Sequence, residues 1–194
     1  MLIRIIKYAL FALALGLGYY LYAAIRKPIV EKNRIDRIEG LVIEKLKLIR
    51  EAEKAYFNRF NRYAGECDTL MQFIQNGQIV NVSRTETIIE RAAHLGDSLV
   101  VKVDTVGMIS VRDSLFREEE LPVGVTLENL CIAPGSNGQR FVFYAGKVQK
   151  PGGYVLDVVE VSDPDPVDPA RLRGPKEPLK FGSRTEVTTS GNWE

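Results

Sequence analysis

The sequence predicts an α+β protein in which an N-terminal transmembrane helix continues into a long amphipathic helix packed on an antiparallel β-meander. Three observations predict it. An uncharged apolar run lies near the N-terminus, a three-and-four-spaced apolar stripe follows it, and short Val-, Ile-, Phe- and Tyr-rich runs punctuated by Gly and Pro fill the second half. The expected divisions are an anchor over 1–27, an amphipathic helix or stalk over 28–64, a globular α+β unit over 65–162, and a Pro-rich arm with a C-terminal tail over 163–194.

From Tyr8 to Ile25 the chain carries no charge, with Arg4 and Lys7 before the run and Arg26 and Lys27 after it. These roughly 18 residues, rising ~1.5 Å each, cover most of a hydrocarbon core, and Tyr19, Tyr20 and Tyr22 suit its interfacial belt. A cleaved signal peptide fits poorly, because Leu21 or Tyr22 would occupy the small-residue position before a cut at Ala23 or Ala24. Membrane lipid is therefore the expected partner of residues 8–25. The charge rule for orientation, taken alone, would place the following domain in the cytoplasm, since Arg26, Lys27, Lys32, Arg34 and Arg37 follow the span. Glu31, Asp36 and Glu39 interleave with them, so solvation and neighbouring pairs on a helix explain the same residues.

Pro28 is expected to bend or interrupt the chain as it leaves the membrane. Beyond it Ile35, Ile38, Val42, Leu46, Ile49, Ala52, Tyr56, Phe60 and Tyr63 draw one apolar stripe along a helix. Glu44, Lys45, Lys47, Arg50, Glu51, Glu53 and Lys54 fill its other faces. The stripe has two ways to be covered, by a sheet of its own chain or by the same helix of another subunit. If it extends beyond the domain, Ile35, Ile38, Val42, Leu46 and Ile49 form the candidate interaction face.

After Gly77 the pattern changes to period two. Ser83, Arg84, Thr85 and Glu86 offer a capping box for a short helix through Leu95, stopped by Gly96. Strands are expected over Leu99–Val106, Met108–Val111, Val125–Ile132, Arg140–Gln149 and Tyr154–Val161. Turn clusters at 134–138 and 150–153 join neighbouring runs closely enough for hairpins. The following SDPDPVDPARLRGPKEP reads as a semi-rigid arm. Asp163, Asp165 and Asp168 lack the glycine and distal glutamate of a calcium loop, so they read as an acidic turn. Trp193 reads as a packed or disordered tail end more readily than as a docking residue.

Composition narrows the function. Of 194 residues, 26 are basic and 25 acidic, which leaves no overall field of the kind that draws a protein onto nucleic acid, so no such partner is expected. The two cysteines, Cys67 and Cys131, form no C-x-x-C motif; they would pair in an oxidising compartment or remain as two buried thiols, and both readings stay open. His94, the single histidine, falls near the end of the predicted short helix and has no nucleophile at a recognisable spacing. No nucleophile elbow, phosphate loop or metal-ligand spacing occurs, so neither an enzyme nor a cofactor is expected.

The stretch from Leu48 to Val80, with Ala52, Ala55 and Tyr56 followed by Arg62 and Tyr63, resembles the end of the long helix in type IV pilins and type II secretion pseudopilins. That resemblance implies a pilin-like domain and assembly with other envelope proteins or with copies of itself. The leader of pilin precursors, ending in Gly before Phe or Met, has no counterpart here, and no glutamate stands in the apolar run. The whole chain, including VRDSLF and TTSGNWE, is similar to single-pass envelope proteins of the Bacteroidota, which implies an envelope setting. The expectation is a non-enzymatic structural or interaction subunit of the bacterial inner membrane with its C-terminal domain in the periplasm. The alternative is a membrane-tethered module that binds an envelope ligand.

Overall fold

The computed structural model describes residues 2–89, 98–117 and 119–194. They form an α+β fold in the order α1 (Leu2–Phe60), α2 (Cys67–Asn76), β1 (Gln78–Ile89), β2 (Ser98–Ser110), α3 (Val111–Leu115), β3 (Val142–Gln149), β4 (Val155–Ser162), α4 (Pro169–Leu172) and β5 (Lys180–Gly182). Two small antiparallel sheets replace the expected single meander. One is the ribbon β1–β2, and the other has the order β3–β4–β5.

The apolar run and the amphipathic stripe are one helix of 59 residues, roughly 90 Å long. Pro28 lies within it, so of the two effects expected there the interruption does not occur. Proline has no amide to donate to the Ala24 carbonyl four residues back, a loss confined to one backbone bond. The N-terminal part of α1 is long and apolar enough to cross a membrane. Every side chain from Ile6 to Tyr22 is exposed, so no other described part of the chain covers this apolar surface.

The core forms where α1 meets the rest of the chain. Val42, Leu46, Ile49, Ala52 and Tyr56 pack with Leu70, Phe73 and Ile74 of α2, Val111 and Phe116 around α3, Val159 and Val161 of β4, and Leu179 and Phe181 at β5. At the far end of α1, Phe73 meets the rings of Tyr56 and Phe60 edge-on at 5.2 and 5.8 Å, and Phe57 stacks on Tyr63 at 4.7 Å. The stalk and the globular unit are thus not separate bodies, because the distal half of α1 is the central element of the head.

The short helix expected from Ser83 is instead strand. Ser83–Ile89 belong to β1, opposite 98–104 of β2. The capping box is a local signal, and the β-branched run Val82, Thr85, Thr87, Ile88 and Ile89 favours the cross-strand ladder over it. Leu95, Gly96 and His94 lie outside the described residues. The two runs expected at Leu99–Val106 and Met108–Val111 are one strand with a bulge opposite Asn81 and Val82. Val111 opens α3 instead of ending the strand, with Ser110 accepting from the Asp113 amide at 3.0 Å as its N-cap.

Val125–Ile132 is not a strand either. Thr126 and Asn129 cap each other reciprocally, with side-chain oxygens accepting from the partner's amide at 3.0 and 3.3 Å, and this folds the segment into successive turns. Only Ile132 bridges, to Arg140. The hairpin β3–β4 forms as expected, in a register that pairs Tyr144 with Glu160 and Ala145 with Val159.

Residues 163–194 are not a free arm. Leu179 and Phe181 are buried, β5 pairs with β4, and Phe181 also bridges Gly191. Gly182 makes this return possible: its φ is +78°, and a Cβ there would collide with the Val159 carbonyl oxygen. Trp193 packs against the core.

Candidate functional site

The helix face proposed from the sequence divides in two. Val42, Leu46 and Ile49 are buried by the chain's own head, and Ile38 packs against the same core, so these four are not available as an interaction face. The cause is intramolecular: α2, β4 and the returning C-terminal segment cover this side of α1. Ile35 is half-buried at the rim of the head nearest the apolar half of α1. Below it lies an exposed neck that includes Ile29 and Val30.

Cys67 and Cys131 are joined in a disulfide, with Cα atoms 6.3 Å apart and a sequence separation of 64. The bond ties the start of α2 to the turn segment before β3. Closing so long a loop stabilises the fold by about 4 kcal/mol in the chain-entropy account.

Two charged residues that the sequence placed on the solvated face of α1 are buried instead. Lys45 is 5% exposed, and its Nζ donates to the carbonyls of Asn129 and Ile132 at 2.5 and 2.9 Å. Burial pushes its pKa down. Glu53 is 1% exposed, and its Oε2 accepts from the Ala64 amide at 2.9 Å while Oε1 has no hydrogen-bond partner. Burial raises its pKa to about 7 against the opposing effect of the Ala64 and Gly65 amides. Both residues do the same work. Each holds a turn of the head to the helix through hydrogen bonds to its backbone.

Further ties run along the same helix. Glu39 pairs with Arg171 at 2.6 Å, both largely buried, and Arg171 also donates to the Glu177 carbonyl at 2.9 Å. Arg50 bonds the Glu194 carboxylate and lies 6.0 Å from the Trp193 ring. The Trp193 indole N–H is itself buried without a partner. Sequence reasoning missed these groups because charge alone marks solvent exposure. The available signal was position, since Lys45 follows Val42 by three residues and Glu53 follows Ile49 by four, which puts both on the flank of the stripe.

The acidic residues of the arm are spent on local structure. Buried Asp163 accepts from the Asp165 amide at 3.2 Å, and burial raises its pKa. Asp168 caps α4 by accepting from the Ala170 amide at 2.9 Å, a bond that lowers its pKa, and it pairs with Lys176 at 3.4 Å. Among the described residues no group of three or more His, Cys, Asp or Glu is placed to hold a metal ion.

Among the described residues the apolar N-terminal half of α1 and its neck are exposed, and β1, β2 and β3 each have an outer edge with no further strand. Neither the family models, nor the curated proteins, nor the solved structures include a match to this chain.

Proposed function

We propose that this chain is a single-pass subunit of a bacterial envelope, held in the inner membrane by residues 8–25 and presenting a pilin-like head in the periplasm for assembly with other proteins. The observation that carries the reading is the continuity of α1. One helix runs without a break from an exposed apolar segment into the centre of a packed core, so the head is fixed rigidly to the anchor. Hydrocarbon is the solvent that removes the cost of exposing Leu10, Phe11, Leu13, Leu15 and Leu17 together.

The Cys67–Cys131 bond supports placing the head outside the cytoplasm, because such bonds persist in oxidising compartments. This outweighs the basic residues after the span. Arg34 is paired with Glu31 at 2.8 Å, which gives that basic residue a local role on the helix. The role is one of position rather than chemistry. The buried ionisable groups Lys45 and Glu53 hold backbone, and the elements left open are surfaces.

A reporter pair fused after Glu194 tests the orientation. The reading predicts alkaline phosphatase activity and a dark cytoplasmic fluorophore fusion; the reverse pattern would place the head in the cytoplasm and end the proposal.

A further inference from the structure

The ribbon β1–β2 extends roughly 40 Å along its strands, and each strand pairs only with the other among the described residues. An isolated two-stranded ribbon is marginally stable in water, and an unpaired strand edge is a template for another strand. The two edges are not equivalent. In β2, Thr105 lies opposite Val82 and Gly107 opposite Asn81, which leaves Val106 as an extra residue in a bulge. Bulges break the regular alternation of an edge and protect it from pairing. β1 runs through twelve residues with no residue inserted.

We infer that the outer edge of β1 pairs antiparallel with β1 of a second copy of this chain, about a two-fold axis at Thr85. The charges of the strand select this register. β1 contains one basic residue, Arg84, and one acidic residue, Glu86. With Thr85 opposite Thr85 of the second copy, each Arg84 falls opposite a Glu86, Ser83 opposite Thr87, and Val82 opposite Ile88. A two-fold axis moved to Arg84 or to Glu86 sets like charges opposite each other, and a parallel in-register pairing aligns like with like. An axis between residues leaves both charges opposite neutral partners.

The chosen register thus matches both charges and sets β-branched residues against one another. The product is a closed four-stranded sheet in the order β2–β1–β1–β2, with the bulged strand outermost on both sides. This inference rests on the assembly reading above and names its partner as a second copy.

The test uses the full chain in membranes with Thr85→Cys as the added thiol. Residues opposite each other in an antiparallel pair have Cα atoms about 4.5 to 5.5 Å apart, within reach of a disulfide. Mild oxidation should give a dimer on a non-reducing gel. Ser83→Cys and Thr87→Cys should give little adduct singly, because each lies about 13 Å from its own copy, and a strong adduct when the two chains are mixed.

Adding Arg84→Glu to Thr85→Cys should lower the yield roughly fivefold or more by setting acids opposite each other, and adding Glu86→Arg to that variant should restore it. Amine-reactive crosslinking of the same membranes reports any assembly. Multimers there without a Thr85→Cys adduct would overturn this interface and leave the assembly reading standing. Monomers in both assays would overturn the two together. A Thr85→Cys adduct indifferent to the charge exchange would overturn the register.

Discussion

Glu53 couples the head to pH. Its carboxyl holds a proton up to about 7 in the folded chain, against an ordinary value of 4.5. Between those values the folded state binds more protons than the unfolded one. The resulting stability is complete below pH 4.5 and is lost as pH rises through 7, by up to about 3 kcal/mol. Urea denaturation of the protein should show a midpoint that falls between pH 5 and pH 8, and Glu53→Gln should flatten that dependence. An unchanged slope in the variant would assign the proton to another group.

Lys45 gives a second residue-scale expectation. Lys45→Ala removes two charge-assisted hydrogen bonds, to the Asn129 and Ile132 carbonyls, and should cost about 2 to 3 kcal/mol, whereas Lys47→Ala, which breaks an exposed pair with Glu44, should stay within about 0.5 kcal/mol. Thermal melts of the two variants compare them directly. Neither burial was legible in the sequence, where Lys45 and Glu53 look like their solvated neighbours. What separates them is the loop each one meets, which for Lys45 returns from far along the chain and for Glu53 is the turn that follows α1.

At the scale of elements, periodicity over long segments was readable and short-range signals were not. The stripe from Ile35 to Phe60 specified α1 because 3.6-residue spacing has no competing explanation over so many turns, although the helix ends before Tyr63, which the same spacing had included. The same spacing did not say what covers the stripe. Leu46→Ala should destabilise the head by about 2 to 5 kcal/mol, since Leu46 is fully buried, while Ile35→Ala at the rim should cost less than about 1 kcal/mol. Equal effects on chemical denaturation would contradict the packing.

Ser83–Glu86 misled because a capping box competes with the cross-strand pairing of a whole ribbon and loses. Val125–Ile132 misled for the opposite reason. Its apolar residues suit a strand, but Thr126 and Asn129 fold the backbone into turns through four-residue contacts that a hydrophobicity pattern does not register.

For the molecule as a whole, three long-range closures make the head one unit: the Cys67–Cys131 bond, the Glu39–Arg171 pair, and the return of Phe181 and Trp193 to the core. Replacing both cysteines by alanine should lower stability by about 2 to 4 kcal/mol, read from urea denaturation with the wild-type protein kept oxidised. The third Asp-Pro step after Val161 opens α4 at Pro169, and the composition of the segment hid the buried Leu179 and Phe181 beyond it. Only tertiary pairing with β4 turns that segment into part of the domain.

All of this is organised around one helix that is rigid in the head and, in the proposed function, immersed in hydrocarbon at its other end. Washing membranes with alkaline carbonate, together with the mass of the intact N-terminus, tests that most directly. The account predicts full retention in the pellet with Tyr8–Ile25 present; release into the wash, or a chain beginning at or beyond Ala24, would contradict it.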